Sequence, residues 1–301
     1  MSAAHQLPDV IVAGVPRSGT TWLHEVLQGH VGLPYGIKET HFFTVNYDLG
    51  LDWYRRHFAD CPPDRPVVEV APIYFDSSEA AERIRRDIPH CRIVCSFRDP
   101  IDRMYSHYRY LRRAGFIGKR TFEQAMAAQE QWADQPGNIL NYTRYGTHFR
   151  RWLELFGRER VLAVVYEDLV ADPQTYLNTV TDFIGAARID LASSKVSGVD
   201  RINAADHALG KPHLLRRARR LERWLNRRQM YRTLKPLWPV VRFIAGRAGD
   251  FEPPSPETIA MLRERFRPEV EMLEELTGRD FTAWKGTAAP PAAALTARGA
   301  S

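Results

Sequence analysis

The feature that most constrains the fold is a short apolar run that ends in a loop and leads directly into helical periodicity. Residues Val10–Val15 are apolar without interruption, which is typical of a strand buried on both faces. The loop that follows contains Gly14 and Gly19, and the periodicity of the next segment predicts a helix over Trp22–Gln28. A loop of this kind points backbone N–H groups and the positive end of a helix at one place, which suits a phosphate.

The same alternation of apolar strands and helical segments recurs along the chain. Buried strands separated by helices pair in parallel, so the sequence predicts an α/β, P-loop-like three-layer fold with a central parallel sheet flanked by helices and a helical C-terminal part. The predicted strands are Val10–Val15, Val67–Ala71, Arg92–Phe97 and Val161–Tyr166; the predicted helices are Trp22–Gln28, Ser78–Ile88, Pro100 to Gly115, Tyr145–Phe156, Gln174–Ile184 and Glu257–Leu276.

Composition predicts a folded protein, and a length of 301 residues suits two domains or one large α/β domain. We expect one domain over residues 1–285 and a disordered Ala/Pro-rich tail over 286–301. We find no apolar run near the ~20 residues that a membrane span requires, and no secretory signal pattern at the N-terminus. The three cysteines are an odd number and favour free thiols in a reducing compartment. We therefore expect a cytoplasmic location.

The loop departs from a nucleotide-hydrolysing P-loop at one position. Gly14 and Gly19 have the spacing of G-x-x-x-x-G-K-[ST], but Thr20 stands where that pattern has its lysine, and Arg17 is the only cation in the loop. A nucleoside triphosphatase needs the lysine on the β- and γ-phosphates together with Mg²⁺. The departure argues against ATP or GTP hydrolysis, although an altered P-loop kinase or NTPase stays as an alternative.

Residues 16–22, Pro-Arg-Ser-Gly-Thr-Thr-Trp, resemble the 5′-phosphosulfate loop of sulfotransferases that use 3′-phosphoadenylyl sulfate (PAPS). The resemblance implies that Arg17 contacts the bridging oxygen and the 5′-phosphate. It also implies a stack of Trp22 on the adenine, whereas packing of Trp22 in the core is an equal alternative. The residues that would wrap the phosphate are Ser18, Gly19, Thr20 and Thr21.

Two further motifs carry the resemblance over roughly residues 8–285. Arg98 and Ser106 have the family spacing of the strand-end arginine and the serine that bind the 3′-phosphate. Residues 38–43, Lys-Glu-Thr-His-Phe-Phe, resemble a segment of the heparan-type carbohydrate branch, in which the glutamate is the general base. Glu39 is therefore the predicted base and His41 the rival. The resemblance indicates a bacterial member of this branch.

The function implied is transfer of a sulfuryl group from PAPS to a hydroxyl of a carbohydrate, lipid or secondary metabolite by in-line displacement. Cations and N–H donors would stabilise charge on the departing oxygen, and a carboxylate would take the acceptor proton. No metal is expected. A non-catalytic nucleotide- or membrane-binding protein is a further alternative, and the acceptor and the oligomeric state stay open.

Positive charge is concentrated in a helical, basic subregion at about residues 205–250. Residues 211–247 contain 12 Lys or Arg and only Glu222 as an acid, so the rest of the chain is net acidic although the whole carries +6. Leu214, Ala218, Leu221 and Leu225 recur at helical spacing there. Three roles stay open for this Arg-rich helix: a solvated face, a wall of the acceptor cleft, or peripheral contact with an anionic membrane. No nucleic-acid partner is expected.

Overall fold

The computed structural model describes residues 7–194, 196 and 251–286. The predicted basic subregion 205–250 and the predicted tail beyond Gly286 lie outside the described residues. The chain divides into two compact units, of which the first contains residues 7–98 and 145–196 and the second residues 99–144 and 251–286.

The described residues contain four strands and ten α-helices. In chain order they are β1 (Val10–Gly14), α1 (Thr20–Leu27), α2 (Leu51–Arg55), β2 (Val68–Val70), α3 (Ser78–Asp87), β3 (Arg92–Phe97), α4 (Pro100–Arg113), α5 (Phe122–Gln129), α6 (Tyr145–Phe156), β4 (Val161–Val165), α7 (Tyr166–Ala171), α8 (Pro173–Ile184), α9 (Pro256–Thr277) and α10 (Thr282–Lys285).

The strands form one parallel sheet in the order β2-β1-β3-β4, which confirms the predicted α/β fold class. Val10 pairs with Val68 on one side and with Arg92 on the other, and Ile93 pairs with Val161. All four strands therefore end at the same edge of the sheet, where ligands of open α/β sheets bind. The loop after β1 and the loop after β3 both begin at this edge.

Helices cover both faces of the sheet in the first unit. Helices α1 and α8 pack on the face that carries Val12 and Val94, where their apolar side chains join one hydrophobic cluster. On the other face, the ring of Phe97 meets Phe149 of α6 edge to face at 5.3 Å, and Trp152 donates a hydrogen bond from Nε1 to the carbonyl oxygen of Phe75. The described helices of the first unit thus cover the sheet on both faces, as the three-layer prediction requires.

The second unit is helical and has its own core. Helix α4 begins as predicted, because the Asp99 side chain accepts hydrogen bonds from the amides of Ile101 and Asp102 and Pro100 takes the first helical position. Asp99 is also bound by Arg263 of α9, at 3.1 Å. The apolar residues of α4, α5 and α9 pack together: Ile101, Met104, Tyr108, Phe122, Met126, Ile259, Leu262 and Phe266.

Most element bounds agree with the predicted ones to within one residue, and two of the differences have a local reason. Helix α1 begins at Thr20, two residues early, because Gly19 takes a left-handed conformation and ends the loop there. Tyr166, predicted as the last residue of a strand, instead begins α7. Helix α4 ends at Arg113 with Ala114 as its C-cap, and Gly115 follows at a positive φ of 75°, so the predicted closure of this helix at Gly115 is confirmed. Among the described residues, no helix is both long enough and apolar enough to cross a membrane.

Candidate active site

The loop between β1 and α1 is held by close packing and by strand β3. A Cβ atom on Gly14 would lie 2.5 Å from Cβ of Phe75, and one on Gly19 would lie 2.9 Å from Cδ2 of Leu169 at a φ of +85°. Val15 donates its amide to the carbonyl oxygen of Ser96, at 2.8 Å. Both glycines are therefore required by the space around them, and the loop has a fixed path at the end of the sheet.

This loop has the groups that an anion needs. Helix α1 begins at Thr20 with no acidic residue in its first turn, so its N-terminal N–H groups and partial positive charge are available. The Oγ of Ser18 is buried and has no hydrogen-bond partner within the described residues. An unpaired buried hydroxyl costs about 1–3 kcal/mol, a cost that an anionic ligand in the loop would remove. The loop fits a phosphate-bearing ligand.

Arg98 follows strand β3 and lies beside this loop. Its Nη1 contacts the carbonyl oxygen of Arg17 at 3.5 Å, and its guanidinium lies 4.5 Å above the centre of the Tyr166 ring. The Tyr145 hydroxyl donates a hydrogen bond to the Arg98 carbonyl oxygen, at 3.0 Å. Arg98 and Arg17 are thus adjacent. Ser106 lies in α4, in the second unit, and its predicted share in a 3′-phosphate site stays a prediction from the sequence.

Trp22 is buried rather than open to a ligand. Its side chain is 2% exposed and belongs to the core cluster under the sheet. Its ring meets that of Tyr176 edge to face at 6.0 Å. This packing favours the structural role for Trp22 over a stack on adenine, the two roles that the sequence left open.

The predicted base lies next to the phosphate loop. The Lys38 ammonium nitrogen is 3.0 Å from Oε1 of Glu39 and 3.4 Å from Oγ1 of Thr21, the second residue of α1. The side chains of Lys38 and Glu39 are about three-quarters buried, at 25% and 23% exposure. The structure therefore brings Glu39, Lys38 and Thr21 into one cluster, although they come from two separate segments of the chain.

His41 lies two residues further along the same segment and is half-buried. It has a positive φ of 54°, and its Nδ1 is buried with no hydrogen-bond partner among the described residues. Glu39 and His41 flank Thr40, which is fully buried. Both residues predicted as candidate bases therefore lie in one short segment. Of the two, Glu39 is the one that Lys38 connects to Thr21 of the phosphate loop.

Two residues of this region were not predicted from the sequence. His24 lies one turn after Thr21 on α1, and burial, together with the charge of Lys38, lowers its pKa. Glu69 is the single acid in the apolar strand β2 and accepts hydrogen bonds from Thr40 and Tyr54. The sequence did contain a signal for each residue. His24 stands three residues after Thr21 in a helical segment, and Glu69 is an acid between two valines of an apolar strand. Within the described part of the chain, no group of three or more His, Cys, Asp or Glu could hold a metal ion.

A family model described as "Sulfotransferase domain" matches residues 7–197, which include β1, the phosphate loop, the Lys38–Phe43 segment and all four strands. The chain belongs to the sulfotransferase family. The prediction made from the loop and from the Lys38–Phe43 motif is therefore confirmed at the level of the family.

The chain is similar to curated relatives that are heparan sulfate glucosamine 3-O-sulfotransferases. The chain is 31% identical over 225 residues to heparan sulfate glucosamine 3-O-sulfotransferase 3B1 of Homo sapiens, a match that covers 71% of this chain and 56% of the relative. It is 28% identical over 291 residues to heparan sulfate glucosamine 3-O-sulfotransferase 3A1 of Mus musculus, covering 93% of this chain and 65% of the relative. The chain spans less than two thirds of the length of either relative.

Among solved structures, a sulfotransferase from Alicyclobacillus acidocaldarius is similar to this chain with a TM-score of 0.65. The match covers 93% of this chain and all of the other, at 21% sequence identity. At that identity the likeness establishes the fold, which is the P-loop-like α/β fold predicted above.

Proposed function

We propose that this sulfotransferase-family protein transfers a sulfuryl group from PAPS to a hydroxyl group of a carbohydrate or similar acceptor. The observation that carries the proposal is the cluster of Lys38, Glu39 and Thr21, in which a carboxylate lies beside a loop built for a phosphate. Family membership supports the reaction class, and the names of the curated relatives support a glycan acceptor.

The residues present suit the phosphosulfate end of PAPS. The amides of the loop and of the first turn of α1 would hold the 5′-phosphate, and the unpaired Ser18 hydroxyl would gain a partner. Arg17 and the adjacent Arg98 would supply positive charge. When bound, PAPS supplies a sulfuryl group joined to phosphate by an anhydride bond. The site of its 3′-phosphate, assigned to Arg98 and Ser106, is a proposal drawn from the sequence.

The chemistry that these residues perform is a proton transfer coupled to a displacement. The Glu39 carboxylate takes the proton of the acceptor hydroxyl while the acceptor oxygen forms a bond to sulfur, and the bond from sulfur to the bridging oxygen breaks. Negative charge grows on that oxygen as 3′,5′-ADP departs. Arg17, Lys38 and the loop amides stabilise this charge with donors that are already in place, which is the larger part of such catalysis.

We propose Glu39 rather than His41 as the base. Glu39 is linked through Lys38 to Thr21 at the start of α1, so an acceptor oxygen beside the carboxylate would also be beside the loop. A base must come within hydrogen-bond reach of the proton that it removes, and a hydroxyl held between the Glu39 carboxylate and the loop would meet that requirement. A lipid or secondary-metabolite acceptor stays within the proposal, because the residues named above are proposed for the donor and for the base and do not distinguish among acceptors.

The proposal is tested with radiolabelled PAPS and a panel of hydroxyl acceptors: heparan-type oligosaccharides, other glycans, lipids and small alcohols. We expect label to appear in at least one carbohydrate acceptor, and Glu39→Gln to reduce turnover at least 100-fold. The matched variant His41→Asn should keep most of the turnover. Loss of turnover in His41→Asn with retention in Glu39→Gln would transfer the base to His41, and label in none of the acceptors would count against the function.

A further inference from the structure

Glu69 is a carboxylate that is buried in the sheet and takes no part in the chemistry described above. Glu69 is fully buried at the middle of β2, between Val68 and Val70, and pairs in register with Ile11. Burial of a carboxylate is expensive, and an apolar residue would suit this strand position better. A costly group in a well-packed place needs a reason beyond stability.

The partners of Glu69 tie it to the segment that holds the proposed base. Thr40 donates to Oε1 of Glu69 twice, from its amide at 2.9 Å and from its hydroxyl at 2.5 Å. The Tyr54 hydroxyl donates to the other oxygen, at 2.7 Å, and the Tyr74 hydroxyl lies 3.3 Å from both. The carboxylate is satisfied by donors alone, and two of them come from the residue next to Glu39.

The bonds from Thr40 constrain the backbone of Glu39 directly. The amide that Thr40 donates belongs to the peptide group that joins it to Glu39, and a peptide group is planar, so its orientation also sets the carbonyl group of Glu39. Two residues that follow in the sequence also bind Thr40. Phe42 donates its amide to the Thr40 hydroxyl at 3.1 Å, and the Asn46 side chain donates to the Thr40 carbonyl oxygen at 2.8 Å. Thr40 is thus the fixed point between the two candidate bases.

We propose that Glu69 is a positioning residue for Glu39: through Thr40 it fixes the backbone of residues 39–42 and holds the Glu39 carboxylate beside Lys38 and the phosphate loop. This inference rests on the proposed function, in which Glu39 is the base. We call this link from Glu69 through Thr40 to Glu39 the anchor. Displacement of a catalytic group by about 1 Å can reduce a rate on the order of 100-fold, so loss of the anchor should lower turnover rather than donor binding.

Four variants test the anchor against a general loss of stability. Thr40→Val removes the hydroxyl donor with little change in shape, and Glu69→Gln replaces one oxygen by a donor. Thr40→Ser is the rescue variant, because it restores the hydroxyl. Tyr54→Phe is the matched control, since it removes a hydrogen bond to the same carboxylate on the side away from Thr40. For each variant, kcat, KM for PAPS and acceptor, the Kd for 3′,5′-ADP and the Tm are measured.

We expect Thr40→Val and Glu69→Gln to lower kcat about 10- to 100-fold while the Kd for 3′,5′-ADP changes less than about 2-fold. Thr40→Ser should stay within about 2-fold of the original kcat, and Tyr54→Phe within about 3-fold despite a lower Tm. An equal loss of kcat in Tyr54→Phe, or an unchanged kcat in Thr40→Val, would overturn the anchor.

Amide hydrogen exchange separates failure of the anchor from failure of the proposed function. If the original protein transfers no sulfuryl group, the proposed function fails; if Glu39→Gln is fully active, the assignment of the base fails. In either case turnover no longer reports on Glu69. Exchange at Thr40 and Phe42 is then decisive. Faster exchange there in Glu69→Gln, but not in Tyr54→Phe, supports the anchor; unchanged exchange in Glu69→Gln contradicts it.

Discussion

The ammonium group of Lys38 lies 3.0 Å from the carboxylate of Glu39 and forms with it a three-quarters buried ion pair. The same ammonium reaches Thr21 of the phosphate loop, at 3.4 Å. One cation therefore connects the proposed base with the site proposed for the donor, and it balances the charge of Glu39 where an anionic ligand is expected to bind.

Replacement of Lys38 should weaken donor binding. Without its charge, the Glu39 carboxylate would repel the phosphate groups, and the loss of one partly exposed interaction is worth about 1 kcal/mol. We expect Lys38→Met to raise the Kd for 3′,5′-ADP about 5-fold in calorimetry, and Lys38→Arg to stay close to the original value. Equal affinities in all three proteins would show that Lys38 has no part in the donor site.

The glycine at the start of α1 offers a matched pair of substitutions. Gly19 and Gly29 both have positive φ values, +85° and +79°, but a Cβ atom on Gly29 would meet nothing within 4 Å. Alanine at either position costs about 1 kcal/mol of backbone strain. We expect Gly19→Ala to weaken 3′,5′-ADP binding more than about 10-fold, because the loop must also shift away from Leu169. Gly29→Ala should leave the affinity unchanged; equal effects would contradict the assignment of the loop.

Much of the fold was predictable from the sequence, because buried parallel strands are continuous apolar runs. All four strands were predicted to within one residue at each end, and so was the start of α4 at Pro100. Helix α7, which begins at Tyr166, was not predicted, because an apolar run does not show where a strand ends and a helix begins.

The site was predictable only where its residues form local motifs. The phosphate loop and the Lys38–Phe43 segment are contiguous, so each could be matched to a sulfotransferase motif by its resemblance to it. Glu69 was missed because its main partner, Thr40, is 29 residues away in sequence, and periodicity carries no information about such a contact. The contact between Lys38 and Thr21 was missed for the same reason, at a separation of 17 residues.

Protonation of His57 should weaken the fold in mild acid. Burial, together with the charge of Arg56, lowers its pKa from 6.5 to about 4, and its Nε2 has no hydrogen-bond partner within the described residues. Between pH 6.5 and 4 the unfolded chain binds this proton and the folded chain does not, so stability falls as the pH falls through this window.

The expected contribution is about 2 kcal/mol between pH 7 and pH 5, at about 1.4 kcal/mol for each pH unit of the window. Urea unfolding of the original protein and of His57→Gln at both pH values measures it. The difference in unfolding free energy between the two proteins should shift by that amount in favour of the variant at pH 5. A difference that does not change with pH would show that His57 titrates alike in both states.

In the second unit, the buried pair of Asp99 and Arg263 makes a separate prediction about stability. Burial raises the pKa of Asp99, and the charge of Arg263 opposes that shift. Removal of one partner from a buried pair leaves an uncompensated charge, so Arg263→Met should cost about 3–5 kcal/mol in urea unfolding. The double variant Asp99→Asn/Arg263→Met should recover at least about 1 kcal/mol of that loss. Strict additivity of the two single changes would mean that the pair is not coupled.

The central claim is that the loop of residues 14–21 binds the donor of a sulfuryl transfer and not a hydrolysed nucleoside triphosphate. Calorimetric titration of the original protein with 3′,5′-ADP, and separately with ATP and Mg²⁺, tests it most directly. We expect tight binding of 3′,5′-ADP that does not change when Mg²⁺ is chelated, and much weaker binding of ATP. Tight, magnesium-dependent binding of ATP with none of 3′,5′-ADP would contradict it.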